Sequence, residues 1–485
     1  MPPSLLLRLA PLLPAAAVLL LLAIRLPADP QLGVTGSYSP FTDEGWNVLN
    51  ARNLVLLGWW STDDWNLHLV NLPFSLAQVV SFTVLGVGIV QARLVSLACM
   101  VAAVALLGLL VASRRGPMAG LVAGTALATS PLVLYYGGMG YLEPMVTCFL
   151  VAGAAALLIP SRFSAAAAGL IAGASLALAI GTKPSALFSA AGIVAGVAIG
   201  GAAWRDAALR RRLLIGIAVV GVAAGAWVAL VAIPRSEAIA TVLRIWPAFT
   251  LPADPADLAR RVTRYFISID NDRALLYAAP LLIGGAAGAL LAALRWRELT
   301  GRDRALMGAA IGWFAFGAAM LLVVLYRPNR YVVPLLPPLA ILTAHAVSVV
   351  GPRLRNGLRP LLLGAALLLL VLPGMATYAG WLATDTTRLP RIQERVAEIL
   401  PSGAIVQGDL AATFAMRAAV PTLVQRAQSR INPGDLYETL GVRWLNSRRA
   451  GSPIWQPSHV EAWHARTFPL CEPWGGIEVC LIELP

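Results

Sequence analysis

Between two long apolar runs the chain reads "SYSPFTDEGWNVLNARNLVLLGWWSTDDWNLHLVNLP", residues 37–73, with four acids: Asp43, Glu44, Asp63 and Asp64. A carboxylate at a membrane border can take the proton from a hydroxyl as its oxygen attacks a carbon centre. Such a step also needs positive charge to stabilise the departing group. The chain provides both. Glu143 opens an apolar segment in "GGMGYLEPMV", and Lys183, in "LAIGTKPSALF", is the single lysine among 37 basic residues. Arg327 and Arg330 stand together in "VVLYRPNRYVVPLLPPLAIL", and Arg93 begins the apolar stretch "VQARLVSL". Two guanidiniums and an ammonium at one boundary could grip a phosphate or diphosphate, with Arg93 either joining them or pairing with an acid. Plainer explanations exist for each: an acid in a first helical turn is favoured by the dipole, and a lysine near a helix end can snorkel. Their shared location is the stronger argument, because ionisable groups at membrane depth are costly unless paired or functional.

These residues need a frame that brings them together. The chain has 485 residues, 58% hydrophobic and only 13% charged, where a soluble domain would carry about 25% charge; its mean hydropathy is +0.74. Apolar runs place helices at 9–28, 91–112, 118–137, 143–160, 164–182, 184–203, 213–233, 274–294, 305–325, 331–350 and 360–381. That gives about 11 crossings of a hydrocarbon core roughly 30 Å thick. The fold class expected is therefore an all-α polytopic membrane protein with juxtamembrane helices and a small C-terminal α/β domain. The first run is read as a retained helix, since "ADP" after it is a poor cleavage site. The stretch 74–90 reads as less regular, and 235–273 as a polar loop.

The net charge of +13 does not mark a nucleic-acid partner, because the arginines are scattered through short loops between apolar runs. Arg8, Arg114, Arg115, Arg162, Arg205, Arg210 to Arg212, Arg295, Arg297, Arg302, Arg304, Arg353, Arg355 and Arg359 all fall in one alternate set of loops. The positive-inside rule puts that set in the cytoplasm. The N terminus then lies in the cytoplasm, while the acidic segment, Glu143, Lys183, Arg330 and the tail lie outside, in a multi-pass protein of the cell membrane. The expected organisation is a transmembrane domain at 1–382, whose first extracytoplasmic loop is 29–90, followed by an extracytoplasmic soluble domain at 383–485.

Within the loop, "DEGWNVLNARNLVLLG" predicts a helix capped by Thr42 or Asp43 and closed by Gly58. Asp43, Asn47 and Asn50 share one face, and Trp46, Val48, Leu49, Val55 and Leu56 are expected in the lipid interface. In the tail, "AIVQG", "VPTLV", "GVRWLNS" and "IEVCLIEL" read as strands and "AATFAMRAA" as helix. Cys471 and Cys480 flank a Pro and Gly-Gly turn that allows a disulfide in an oxidising compartment. The histidines fit no zinc spacing.

Carboxylates and cations at one outer border fit glycosyl transfer from a lipid-linked sugar phosphate. At these residues the chain resembles the integral-membrane C-type glycosyltransferase superfamily, in particular the protein O-mannosyltransferases and the aminoarabinose lipid A transferase. "DEGWNVLNAR" is similar to the family's acidic juxtamembrane helix, with Trp46 in place of a tyrosine. "HLVNLPFSL", "QARLVSL", "GYLEP", "GTKPSALF" and "RYVVPLLPPLAIL" follow in the family's order. The resemblance implies Asp43, Glu44 and Glu143 as catalytic acids. It implies Lys183, Arg327, Arg330 and Arg93 at the phosphate of a polyprenyl-phosphate sugar donor, and Asn47, His68, Asn71 and Tyr331 at the substrate. Where the aminoarabinose-type enzymes place a lysine in the second juxtamembrane segment, this chain has His68 and Asn71. No cofactor is certain; a divalent metal serves some members of the superfamily and is left open, and the acceptor is a protein, glycan or lipid. A transporter or flippase of lipid-linked sugars is the alternative, but it would place charges mid-membrane or break helices there. A non-catalytic lipid-binding relative is the other.

Overall fold

The computed structural model describes residues 9–30, 43–60, 71–160, 163–237, 239–240, 251–266, 274–324, 328–350, 358–408, 410–423, 444–448, 467–474 and 477–483. In chain order the principal membrane-part helices are α1 (Leu13–Ile24), α2 (Asp43–Leu57), α3 (Leu72–Leu85), α4 (Ile89–Arg115), α5 (Pro117–Ala128), α6 (Pro131–Tyr136), α7 (Glu143–Leu158) and α8 (Ala165–Thr182). They continue as α9 (Ala186–Ile199), α10 (Ala207–Trp227), α11 (Pro255–Phe266), α12 (Ala274–Leu294), α13 (Gly301–Val323), α14 (Leu336–Val350) and α15 (Leu358–Thr384). Six helical segments among the described residues are long and apolar enough to cross a membrane, and six more apolar helices are shorter. The chain is a polytopic membrane protein.

Local sequence explains where the elements differ from expectation. The first apolar run begins as a tight turn, Ala10–Leu12, because Pro11 and Pro14 supply no amide hydrogens. The stretch expected to be irregular is the regular helix α3, ended by Gly86 in the left-handed region at φ 83°. The expected polar loop contains α11, whose apolar and charged residues follow a helical period. The run expected at 331–350 starts as a 3-10 helix, Asn329–Leu335, around Pro334 and only then becomes α14.

Small residues set the tightest helix contacts. α9 and α13 meet through Gly192 and Gly196 against Gly308 and Gly312; a methyl group on Gly196 would sit 2.0 Å from the Gly308 carbonyl oxygen. Apolar lipid gives no hydrophobic drive for helix association, so such close backbone packing supplies it instead.

α4 measures the thickness of the bundle. Arg93 lies in its first turns and Arg114 in its last, about 30 Å apart at 1.5 Å per residue. Several arginines assigned to one set of loops gather at the far end: Arg115 faces Asp303 at 3.8 Å and Arg302 binds Asp206 at 2.9 Å.

The tail forms α16 (Arg388–Ile399), β1 (Val406–Gln407), α17 (Ala411–Phe414), β2 (Thr422–Leu423), β3 (Trp444–Arg448), β4 (Thr467–Trp474) and β5 (Ile477–Glu483). The sheet order is β2-β1-β3-β5-β4, with β1 parallel to β2 and β3 and the remaining pairs antiparallel. The hairpin carries a Cys471–Cys480 disulfide between register partners.

This tail is fastened to the membrane part. Arg25 makes two hydrogen bonds to Asp385, at 2.7 and 2.9 Å. Asp29 accepts from the Thr386 hydroxyl and from the amides of Arg388 and Leu389, capping α16. α2 is the larger contact. Val48 and Ala51 are buried among Ile392, Val396, Leu410 and Phe414, and Leu49 packs on Ala412. The lipid-facing role expected for Val48 and Leu49 is therefore overturned: the tail covers them. Arg52, fully buried, donates to the carbonyls of Ala415, Met416, Ala418 and Val420. Burial pulls its pKa down to about 9, so it is still protonated at neutral pH, and the carbonyl oxygens solvate its charge.

Candidate functional site

The site is assembled by the segment 137–142, which carries "GGMGYL" between α6 and α7. Glu44 and Asn47 of α2 hold it from one side. Glu44 accepts the Gly140 amide at 2.7 Å, and Asn47 donates to the Gly140 carbonyl at 3.2 Å. Asn71 donates to the Asn47 carbonyl at 3.4 Å and its own side-chain oxygen accepts from Ser75. This clamp fixes where Glu143, the first residue of α7, stands relative to Asp43, the first residue of α2.

A line of alternating charge then crosses the site. Asp43 contacts Arg330 at 2.5 Å, Arg330 reaches Glu143 at 3.3 Å, and Lys183 donates to the same Glu143 oxygen at 2.5 Å. Lys183 caps α8, and its ammonium lies 3.5 Å from the centre of the Tyr331 ring, a cation–π contact strengthened by partial desolvation. The Arg330 guanidinium lies 5.3 Å from the ring centre of Tyr141 and 5.7 Å from that of Tyr331. Two carboxylates and two cations thus neutralise one another with little access to water; the Glu143 side chain is 2% exposed and that of Lys183 15%. Beside them opens a narrow cleft lined by Glu143, Lys183, Ser185, Ser189, Tyr331 and Pro334.

Glu44 and Arg93 take a different place from the one expected. Arg93 Nε and Nη2 bind both Glu44 carboxylate oxygens at 2.8 and 2.7 Å, and Nη1 binds the carbonyls of Leu26 and Ala28. Both residues are 0% exposed. Four of the five guanidinium N–H groups are thus committed to a carboxylate and two carbonyls. Of the two partners open to Arg93 the structure gives an acid, Glu44, which also accepts the Gly140 amide; that geometry favours a positioning role for Glu44. His68, Arg327, Asp63 and Asp64 lie outside the described residues.

Sequence reasoning assigned no role to Tyr141, Arg52 or the Gly140 backbone. Tyr141 and Arg52 stand inside quoted motifs, "GYLEP" and "DEGWNVLNAR", which was the available signal. A backbone amide leaves no trace in residue type. As for a resident metal, among the described residues no group of three or more His, Cys, Asp or Glu side chains comes together. Asp43 and Glu143 are bridged by the Arg330 guanidinium.

No protein-family model and no curated protein matches this sequence. Solved structures do match it. ArnT from Cupriavidus metallidurans bound to undecaprenyl phosphate aligns with a TM-score of 0.64 at 17% identity, over 97% of each chain. The same protein in the apo state gives a TM-score of 0.62 at 18% identity, again over 97% of each chain. The Archaeoglobus fulgidus oligosaccharyltransferase tethered to an acceptor peptide gives a TM-score of 0.54 at 13% identity, over 92% of this chain and 70% of that one. The chain shares its fold with these structures.

Proposed function

We propose that this protein is a membrane glycosyltransferase that moves a sugar from a polyprenyl-phosphate-linked donor to an acceptor hydroxyl at the extracytoplasmic face. The observation that carries the proposal is the single charge line Asp43–Arg330–Glu143–Lys183 beside a cleft. The fold it shares with ArnT, one of whose structures holds undecaprenyl phosphate, supports a prenyl donor. The disulfide supports a tail facing an oxidising compartment.

At rest the Asp43 carboxylate is occupied, because Arg330 holds it. An arriving phosphate competes for Arg330 and Lys183 and frees the Asp43 lone pairs. The acceptor oxygen then attacks the anomeric carbon while its proton passes to Asp43. The bond from that carbon to the phosphate oxygen breaks, and the prenyl phosphate leaves with the electron pair, its charge met by Lys183 and Arg330. Glu143 holds both cations in register. Tyr331 supports Lys183, Asn47 and Asn71 fix the α2 border of the site, and Arg327 and His68 are proposed at the donor and substrate respectively.

The experiment is reconstitution of the purified protein with a panel of radiolabelled undecaprenyl-phosphate sugars: mannose, arabinose and aminoarabinose. Release of free undecaprenyl phosphate from at least one, accelerated by a hydroxyl-bearing acceptor, is expected. Movement of intact donor across vesicles without release would instead establish the flippase alternative.

A further inference from the structure

The opposite end of the bundle holds a second constellation that the transfer reaction does not use. A crevice there is lined by Arg114 at the end of α4, Arg212 near the start of α10, Arg302 in the first turn of α13, Asp206, and the apolar Leu157 and Leu158. Arg115 adjoins it, facing Asp303. Four guanidiniums against two carboxylates leave an excess of two positive charges, where the same arginines could have been dispersed into water.

The acids present are already committed. Asp206 caps α10 by accepting the Ala208 and Leu209 amides, and its other oxygen takes Arg302 Nε. Asp303 reaches Arg115 only at 3.8 Å. Arg212 Nη1 closes the C-terminal end of α7 by donating to the carbonyls of Ala156, Leu157 and Ile159. Arg114 Nε and Arg115 Nε and Nη2 are buried and meet no hydrogen-bond acceptor among the described residues. A buried donor left unmade is costly, so the crevice is incomplete without an acceptor.

We propose that this crevice is a binding site for a phosphate monoester or diester anion, with Arg114 and Arg302 as its principal donors. The chemistry follows from the fork of the guanidinium, which matches phosphate oxygens two at a time. The surroundings favour an anionic phospholipid as the bearer. Leu157, Leu158 and Leu209 line the crevice, and Leu214 and Ile217 of the same helix α10 expose apolar side chains. Basic pockets between helices on the positive side of a membrane protein bind phosphate headgroups in this way. Arg114 lies about 30 Å from Arg93 along α4, and the crevice is independent of the function proposed for the other end.

The test uses the full chain, delipidated in a zwitterionic detergent. Dihexanoyl phosphatidylglycerol, dihexanoyl phosphatidylcholine and inorganic phosphate are each titrated while thermal unfolding and intrinsic tryptophan fluorescence are followed. Saturable binding of phosphatidylglycerol, weakened by salt and at least tenfold tighter than that of phosphatidylcholine, is expected for a lipid headgroup. Binding of inorganic phosphate with equal affinity would assign the same site to the free anion. The Arg114→Gln/Arg302→Gln pair should weaken the anion that binds by at least tenfold, whereas Arg211→Gln, outside the crevice, should not. Should the double variant fail to fold, the single Arg302→Gln variant, on a partly exposed side chain, serves with an expected several-fold loss. Equal binding of phosphatidylglycerol and phosphatidylcholine with none of inorganic phosphate, no binding at all, or unchanged affinity in the crevice variants would overturn the proposal.

Discussion

Asp43 and Glu44 are neighbours in sequence with opposite fates. One hundred degrees of helical rotation sends Glu44 into a dry pocket against Arg93 and leaves Asp43 at the site with Arg330. Their substitutions should separate accordingly. Removing one partner of a buried ion pair costs about 3–5 kcal/mol, so Glu44→Gln and Arg93→Met should each lower the thermal midpoint sharply. A stability measurement that left Glu44→Gln at the wild-type midpoint would contradict the positioning role. Lys183→Gln tests the other cation. Losing a charge-assisted hydrogen bond worth about 1.5–3 kcal/mol should raise KM for the donor roughly ten- to hundredfold, and an unchanged KM would remove Lys183 from the phosphate.

Among the elements, α2 has the most consequence, because it serves the site and the tail at once. Its first turn presents Asp43, its Asn47 holds the Gly140 segment, and its last turns carry Arg52 into the tail's carbonyl cage. Arg52→Ala would strand several buried acceptors, each worth about 1–3 kcal/mol. The tail should then be cut by protease in the folded detergent-solubilised protein at least tenfold faster than in wild type; equal cutting rates would show that the cage does not fasten it. The helical period and the cap signals made α2 legible from sequence, with Gly58 closing it at φ 79°. Its environment was not legible. Val48 and Leu49 look the same to a sequence whether lipid or a folded tail covers them, and contact with a segment more than 300 residues away has no local signature. Pairing was opaque for the same reason: Arg93 and Arg330 are both arginines at helix beginnings, and only the fold decides that one meets Glu44 and the other Asp43.

The asymmetry of charge between the two ends of the bundle unites these pieces. Scattered arginine loops could be assigned to one side by alternation alone, and Arg114, Arg115, Arg212 and Arg302 do meet at one end. The acidic and cationic residues of the candidate site meet at the other. A topology reporter fused after residue 240 or at the C terminus should report the extracytoplasmic side; a cytoplasmic signal at either position would place the site on the wrong face for a lipid-borne sugar. Helix existence was readable from apolar length, while the exact bounds were not, since prolines and glycines at 11, 14, 86 and 334 divide runs that hydropathy alone joins. The decisive measurement is donor turnover by Asp43→Asn beside wild type, both purified and matched for thermal midpoint. Turnover should fall at least a thousandfold while undecaprenyl phosphate still binds; turnover at the wild-type rate would mean that Asp43 takes no proton and that the charge line serves only to hold the fold.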